Sequence, residues 1–307
     1  LIEGEEEVGS ANLDNFIGVH KELLQADVVL ISDTPMFDRG IPSICYGLRG
    51  LVYFQVDVKG SNSDLHSGSF GGVVINPNFA LARMICALKD SEGRVQIPGF
   101  YDDVVPMSVE EKEELARLPF DEEKYRQDLG APALFGEKGY GVLEQLWVRP
   151  TLEVNGICGG FIGDGAKTVI PAKAMAKISM RLVPNQDPER IASLFERHIR
   201  QIAPPAVELT VTRMHGGKAW VASIDHPAIQ AASRAFEKGF GRRPVFVREG
   251  GSIPVVATFA ELLGIPSVLM GIGLPDENAH APNEKLDLFN FRQGIVSSAY
   301  FFDEMKK

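Results

Sequence analysis

Apolar and polar positions follow two different patterns along the chain, and the change between them predicts a domain boundary. Near the start, an amphipathic helix over 11–25, capped by Ser10, is followed by a short, wholly apolar strand at 28–31. From 51 to 59, apolar residues take every second position, which is typical of a half-buried antiparallel strand. After residue 215 helices and strands alternate again: helix 228–238, strand 245–247, helix 253–263, strand 267–272 and helix 288–305.

The segment between these two parts has its own order of elements. Its pattern predicts strand 51–59, helix 78–89, strand 151–155, strand 173–182, a helix around 191–199 and strand 207–213. This βαββαβ order is that of a ferredoxin-like α+β domain. The connection from 98 to 149 is too long for a turn and carries one predicted helix, 108–118. We therefore predict an α/β domain of 1–50 and 215–307, with 51–214 inserted in it.

Composition limits the classes of partner. The chain has 307 residues, 45% of them hydrophobic and 23% charged, which is the balance of a globular protein with a substantial core. A net charge of −10 argues against a nucleic-acid partner, because phosphate binding needs a clustered positive field, and favours a small substrate. The most apolar stretch is interrupted by Pro254, Glu261 and Pro266, so no membrane span is predicted. Three scattered cysteines favour a reducing, cytoplasmic environment.

Acidic residues and a histidine follow several of the predicted strands. Glu5, Glu6 and Glu7 come after the apolar pair at the start, Asp33 follows strand 28–31, and His280 follows strand 267–272. The acidic run could be only a solvated turn before a helix, where negative charge is favourable. Ligands in open α/β sheets gather beyond the carboxyl ends of the strands, and carboxylates with imidazole suit zinc or manganese.

Eight short motifs occur in an order that resembles a known family of enzymes. They are EGEEEVGS, YGLRG, SDLHSG, GAKTVIPAK, RLVPNQ, HGGKAW, REGGSIP and AHAPNEKL. Together they resemble the cytosolic non-specific dipeptidases and carnosinases, which belong to the dinuclear-metal hydrolases that include carboxypeptidase G and the aminoacylases. The resemblance implies a mixed-sheet metallopeptidase catalytic domain with an inserted ferredoxin-like lid and dimerisation domain.

The resemblance also implies roles for the acidic residues and the late histidine. Glu6 corresponds to the general base, Glu7 and His280 to ligands of one metal, and Asp33 to a ligand of the other. The cofactors implied are two divalent ions, zinc or manganese. The family takes a further His and a bridging Asp from an upstream His-x-Asp motif, and none precedes Leu1. We therefore expect the chain to begin in mid-domain and, taken by itself, to be inactive or weakly metallated.

Two residues of the inserted domain are implied to act on another subunit. A histidine in a Ser- and Gly-rich loop, such as His66, is usually a surface residue, although histidine is also a common catalytic group. By the resemblance, His66 reaches the partner's site and stabilises the oxyanion, and Thr168 contacts substrate across the same interface. The expected assembly is a homodimer formed through the inserted domain.

Three further residues are implied to bind substrate. Arg181, at the end of a predicted strand, could be a solvated edge residue. The resemblance implies instead that it binds the free α-carboxylate of the peptide substrate, a group that a guanidinium binds well. Ser252 lies at a helix start, where it could bind an anion or act only as the N-cap. His215 lies at the second domain boundary and is a candidate substrate contact.

The predicted function is hydrolysis of a dipeptide or short peptide with a free C-terminal carboxylate. Two alternatives stay open on the sequence. One is an N-acyl amino acid or carbamoyl amidohydrolase of the same family, and the other is a non-catalytic dimerisation or binding module. The small substrate and the second subunit are the expected partners.

Overall fold

The computed structural model describes residues 1, 4–5, 10, 12–279 and 281–306, which form two compact units. One unit joins Leu1–Leu48 to Trp220–Lys307, and the other is the continuous segment Arg49–Ala219. The apolar pattern predicts the corresponding boundaries after residues 50 and 214. Each unit has its own sheet and its own core, as set out below.

The elements follow in chain order. The first unit starts with α1 Leu13–Val19, β1 Val29–Ile31 and β2 Ser43–Leu48. The second unit contains β3 Gly50–Lys59, β4 Leu65–His66, α2 Ser67–Phe70, α3 Pro77–Cys86, α4 Val109–Ala116, α5 Glu122–Asp128, α6 Val142–Trp147, β5 Thr151–Gly159, β6 Val169–Ile170, β7 Lys173–Leu182, α7 Pro188–Ile202 and β8 Glu208–Gly217. The first unit resumes with β9 Trp220–Val221, α8 Pro227–Phe240, β10 Val245–Glu249, α9 Pro254–Leu263, β11 Ser267–Leu269 and α10 Leu288–Glu304.

The first unit is a mixed sheet with helices on both faces. Its strand order is β1-β11-β2-β10, with β9 paired to β2. Strand β1 is parallel to β11, and β10 is parallel to β2, whereas β11 and β2 run antiparallel. Alternate residues of β1 face opposite layers, since Leu30 packs with the core under α8 and α10 while Val29 and Ile31 pack with α1 and α9. The predicted α/β class with a mixed sheet is confirmed.

The second unit has the predicted ferredoxin-like arrangement. Its four antiparallel strands lie in the order β5-β7-β3-β8, so the first and third strands of the βαββαβ series are central. The even-numbered residues of β3 are buried under α3 and α7, with Val52, Phe54, Val56 and Val58 fully inaccessible. The odd-numbered residues face the other side of the sheet and are half-buried. Strands β4 and β6 form a separate two-stranded ribbon.

Helix α7 shows how the sequence specifies a helix in this unit. Asp187 accepts a hydrogen bond from the amide of Arg190, and Pro188 occupies the first turn, where its missing N–H costs nothing. Apolar Ile191, Phe195 and Ile199 recur every fourth position and are buried against the sheet. The predicted helix around 191–199 is therefore confirmed.

Several predicted elements have different bounds in the structure. Helix α1 ends at Val19 instead of 25 and begins after Asn12, so Ser10, whose φ is 50°, is not its N-cap. Gly18, one position before the end, has low helix propensity and favours the early stop. Strand β2 was not predicted at all. It lies inside the sheet with five of its six residues buried, so it shows no alternation.

The long connection in the second unit is more ordered than predicted. The expected helix is present as α4, which begins with a capping box between Ser108 and Glu111. Helices α5 and α6 were not predicted because they are only seven and six residues long, too short for a clear apolar period. In the described part of the chain, no helix is both long and apolar enough to cross a bilayer.

Candidate active site

Asp33 lies just beyond the carboxyl end of β1, at the sheet edge where the sequence predicts the metal site. The chain after β1 runs beside the chain after β11, with Pro35 opposite Gly273 and the Met36 amide 2.7 Å from the Gly273 carbonyl oxygen. A Cβ on Gly271 would lie 1.6 Å from the carbonyl oxygen of Thr34, so this close approach requires glycine. The segment that leads to position 280 therefore leaves the sheet at the same edge as Asp33.

The other predicted metal-site residues, Glu6, Glu7 and His280, lie outside the described residues. Within 12–279, 281–306 and the few described positions before residue 12, no group of three or more His, Cys, Asp or Glu side chains could hold a metal ion. Asp33 itself is exposed and lines a cavity of about 390 Å³ beside β1. Two carboxylates and one imidazole are nonetheless a donor set that suits zinc or manganese. The proposed ligand set stays a prediction.

Ser252 belongs to the same unit as Asp33, in the loop between β10 and α9. It is not the N-cap of α9, because that position is occupied by Ile253, whose apolar side chain makes no capping hydrogen bond. The interpretation of Ser252 as only an N-cap is therefore wrong. Its neighbour Ile253 lines the same cavity as Asp33.

The second unit brings His66 and Thr168 into contact although 102 positions separate them in the chain. Residues 65–66 pair with 169–170, and the Ser67 amide donates to the Thr168 carbonyl oxygen at 3.0 Å. This ribbon places Nε2 of His66 3.2 Å from Oγ1 of Thr168. Both side chains are exposed, so they can contact another molecule.

Arg181 and His215 lie on one face of the second unit's sheet, the face away from α3 and α7. Arg181 is paired with Leu51, and His215 with Tyr53, two positions further along β3. The His215 ring stacks on that of Tyr53, with centroids 5.0 Å apart and planes at 24°. Burial lowers the pKa of Arg181, so its surroundings disfavour the cation, and a bound carboxylate would offset that cost.

Two residues near these candidates were missed by the sequence analysis. Tyr53 occupies an odd position of the alternating strand 51–59, so the alternation of apolar residues indicates that its side chain lies on the face of the sheet away from the core. Gly68 follows His66 in a Gly- and Ser-rich loop, and its amide lies 3.1 Å from Nδ1 of His66. A glycine can occur in a loop for many different structural reasons, so the sequence alone did not single out Gly68.

Comparison with known proteins identifies the family. The model of the peptidase dimerisation domain, M20_dimer, matches residues 46–207, which is more than half of the chain. The chain belongs to the M20 family of peptidases. The match includes most of the second unit of this M20 chain, and the predicted peptidase family is thereby confirmed.

Relatives of this M20 chain include dipeptidases. It is 39% identical to the Cys-Gly metallodipeptidase dug1 of Schizosaccharomyces pombe, over 99% of this chain and 65% of that protein. It is 34% identical to the beta-Ala-His dipeptidase of Homo sapiens, over 99% of this chain and 61% of that protein. The solved structure of the di-peptidase Dug1p from Saccharomyces cerevisiae matches with a TM-score of 0.89 and 36% identity, over 98% of this chain and 64% of that one. The chain thus spans less than two thirds of each relative.

Proposed function

We propose that this chain forms most of a metal-dependent dipeptidase that hydrolyses short peptides with a free C-terminal carboxylate. The observation that carries the proposal is the sequence similarity of this chain, 39% and 34% identity, to two dipeptidases named for chemically different substrates, Cys-Gly and beta-Ala-His. Those peptides differ in both side chains and share a two-residue length and a terminal carboxylate. Recognition of the carboxylate is therefore the feature that this chain is expected to retain.

In the proposed reaction the residues at the β1 edge perform the chemistry. Glu7, Asp33 and His280 would hold two divalent ions, zinc or manganese, together with residues from the part of the relatives that this chain does not span. When bound, such ions make water a stronger nucleophile and polarise the peptide carbonyl. Glu6 would take a proton from the attacking water and return it to the leaving amine.

Arg181 is proposed to bind the substrate carboxylate. Arg181 is half-buried on a central strand, and a guanidinium can present two parallel N–H donors to a carboxylate. His215, held by its stack on Tyr53, lies on the same face of the sheet and is a further candidate contact. The amidohydrolase alternative would place a different acyl group in the same site, and the names of the relatives favour a peptide.

A homodimer through the second unit is part of the proposal, with His66 and Thr168 serving the partner's site. Strand β5 is an edge of its sheet, and α3 runs beside it, since Asn78 donates to the Gly159 carbonyl oxygen. Large apolar side chains are exposed along this edge, with Phe79 exposed by 69% and Ile157 by 61%. An edge strand with exposed apolar side chains is a natural pairing surface.

A cytoplasmic location is also proposed. Its support is the cysteine chemistry, because Cys45, Cys86 and Cys158 are all free thiols in the structure.

The test of the function is a double comparison of enzyme and substrate. The complete metal-loaded protein should cleave dipeptides and leave N-acetyl and N-carbamoyl amino acids nearly untouched. Arg181→Lys keeps the charge but loses the paired donors, which should cost about 1.5–3 kcal/mol, or about 10- to 150-fold in kcat/KM for a free dipeptide. A C-terminally amidated dipeptide should be a poor substrate for the unaltered enzyme and lose little more on this substitution.

Arg213→Lys is the matched control. Arg213 lies in the same sheet, on β8, but contacts Glu189 of α7, on the opposite face from Arg181. It should leave both substrates unaffected. Equal losses for free and amidated dipeptides with Arg181→Lys would show that Arg181 is structural, and preference for acylated amino acids would establish the amidohydrolase alternative.

A further inference from the structure

The imidazole of His66 is held by hydrogen bonds at both ring nitrogens. Nδ1 lies 3.1 Å from the backbone nitrogen of Gly68, and Nε2 lies 3.2 Å from Oγ1 of Thr168. His66 is thereby the N-cap of α2, accepting from the second residue of that helix.

These two contacts determine where the imidazole proton lies. A backbone N–H can only donate, so Nδ1 must present its lone pair to Gly68 and carry no proton. In the neutral ring the proton is then on Nε2, and Thr168 Oγ1 is its acceptor. The single N–H of His66 is thus directed at Thr168, so a substrate oxygen would receive it by sharing or displacing this contact, while the hydroxyl proton of Thr168 is left to donate elsewhere.

The fold leaves the ring little freedom to adopt the other arrangement. The pairing of His66 with Val169 fixes the backbone, and the amide of Ser67 is tied to the Thr168 carbonyl oxygen. The Gly68 backbone approaches the ring so closely that a Cβ there would lie 3.0 Å from Cε1 of His66. A Cβ at this distance requires a shift of only a few tenths of an ångström, so alanine at this position can keep the amide within hydrogen-bond reach of Nδ1.

We propose that Gly68 is a positioning residue, whose amide keeps His66 in the neutral Nε2–H tautomer so that His66 acts as a hydrogen-bond donor and takes no part in proton transfer. The inference rests on the proposed function only in assigning the peptide carbonyl oxygen as the group that receives this hydrogen bond. A neutral donor whose tautomer is already fixed stabilises negative charge that develops on that oxygen. Proton transfer remains with Glu6.

The tautomer is measured directly by nitrogen-15 NMR of the complete, metal-loaded protein labelled at histidine. This chain has six histidines, and the signals of His66 are assigned by their loss in His66→Gln. His226 caps α8 in the same manner, with Nδ1 3.2 Å from the amide of Ala228, and is an internal reference. We expect both rings to show an unprotonated Nδ1. A protonated Nδ1 on His66 would overturn the inference whatever the enzyme hydrolyses.

Two substitutions of His66 separate donation from proton transfer. The amide of Gln reaches the position of Nε2 and can donate there, whereas Asn reaches only the position of Nδ1 and can cap α2. We expect His66→Asn to keep the fold and lower kcat by about 10²–10³-fold, with a clearly smaller loss for His66→Gln. Equal losses in the two variants would overturn the donor role, because a residue that transfers a proton is replaced by neither amide.

Gly68 itself is tested by a pair of variants that differ in the N–H group. Gly68→Pro removes the donor at a first-turn position that tolerates proline, and Gly68→Ala keeps it. We expect both tautomers of His66 to appear in the spectrum of the proline variant, with kcat falling more than KM changes, and a single Nε2–H tautomer in the alanine variant. An unchanged spectrum for Gly68→Pro would overturn the positioning role. If Gly68→Pro fails to fold, the unaltered protein and the Asn and Gln variants still decide the proposal.

Discussion

Replacement of Glu137 by alanine should destabilise the second unit more than any change to a surface ion pair. The Glu137 carboxylate accepts two hydrogen bonds from Arg149, each 2.7 Å long, and one of 3.0 Å from Arg94. Only 8% of the Glu137 side chain and 9% of the Arg149 side chain are exposed. This buried cluster anchors the long connection that carries α4, α5 and α6.

The expected magnitude follows from the charge that would be left behind. Burial by itself lowers the pKa of Arg149, and the hydrogen bonds and charge of Glu137 more than offset this, so the pKa is raised. Removing one partner of a buried pair typically costs about 3–5 kcal/mol. Arg149 keeps its contacts with the rings of Tyr140, 4.2 Å away, and Tyr101, 5.1 Å away. We therefore expect the lower limit, about 3 kcal/mol, or a fall of about 6–12 °C in Tm.

The assay is urea unfolding followed by the fluorescence of Trp147, which belongs to α6. The chain has two tryptophans, so a Trp220→Phe background makes Trp147 the sole reporter. Glu114→Ala is the control, because Glu114 and Arg117 form an ion pair in which both side chains are about two-thirds exposed. It should cost less than about 1 kcal/mol.

The reasoning also predicts how the loss can be reversed. Replacing both partners, Glu137→Leu with Arg149→Met, removes the unpaired charge and should restore much of the stability lost in Glu137→Ala. If Glu137→Ala cost no more than Glu114→Ala, the buried pair would contribute nothing beyond a surface pair. The argument from an uncompensated charge would then be refuted.

Three further predictions concern the metal site, the dimer and the last helix. In the complete enzyme Glu6→Gln should lower kcat by at least about 10²–10⁴-fold with metal content unchanged, whereas Glu7→Gln should lower both kcat and metal content. If Glu6→Gln lost metal and Glu7→Gln did not, the roles of base and ligand would be assigned one residue out of register. Phe79→Asp should shift the protein from dimer to monomer in sedimentation at micromolar concentration, and a dimer that persists would exclude the α3 face. The pKa of Asp287 is lowered chiefly by the hydrogen bond from the Asn290 amide, so its stabilising effect is complete above the unfolded-state pKa of about 3.9 and is lost as pH falls through the lower folded value. The difference in urea midpoint between the unaltered protein and Asp287→Ala should therefore stay constant above about pH 5 and shrink below it, and a difference that grows with acid would contradict the sign.

Local periodicity was enough to predict most helices and strands. The alternation over 51–59 corresponds to β3, and 173–182 corresponds to β7, because every second residue of each strand is buried under helices. Amphipathic spacing gave α7, α8 and α10 for the same reason, since burial on one face imposes a period on the sequence. Strand β2 was not predicted because its burial has no period along the chain. Helix α6 was not predicted because it is too short to show one.

The sequence also supplied the family and a set of candidate residues, while only the tertiary structure decided which of them meet. His66 and Thr168 are neighbours because β4 pairs with β6, and nothing near either residue encodes that pairing. The same holds for His215 on Tyr53, which depends on the register of β3 against β8. Register and strand order are set by the packing of the whole unit, a sum over many long-range contacts, whereas a sequence pattern records only whether each position is buried.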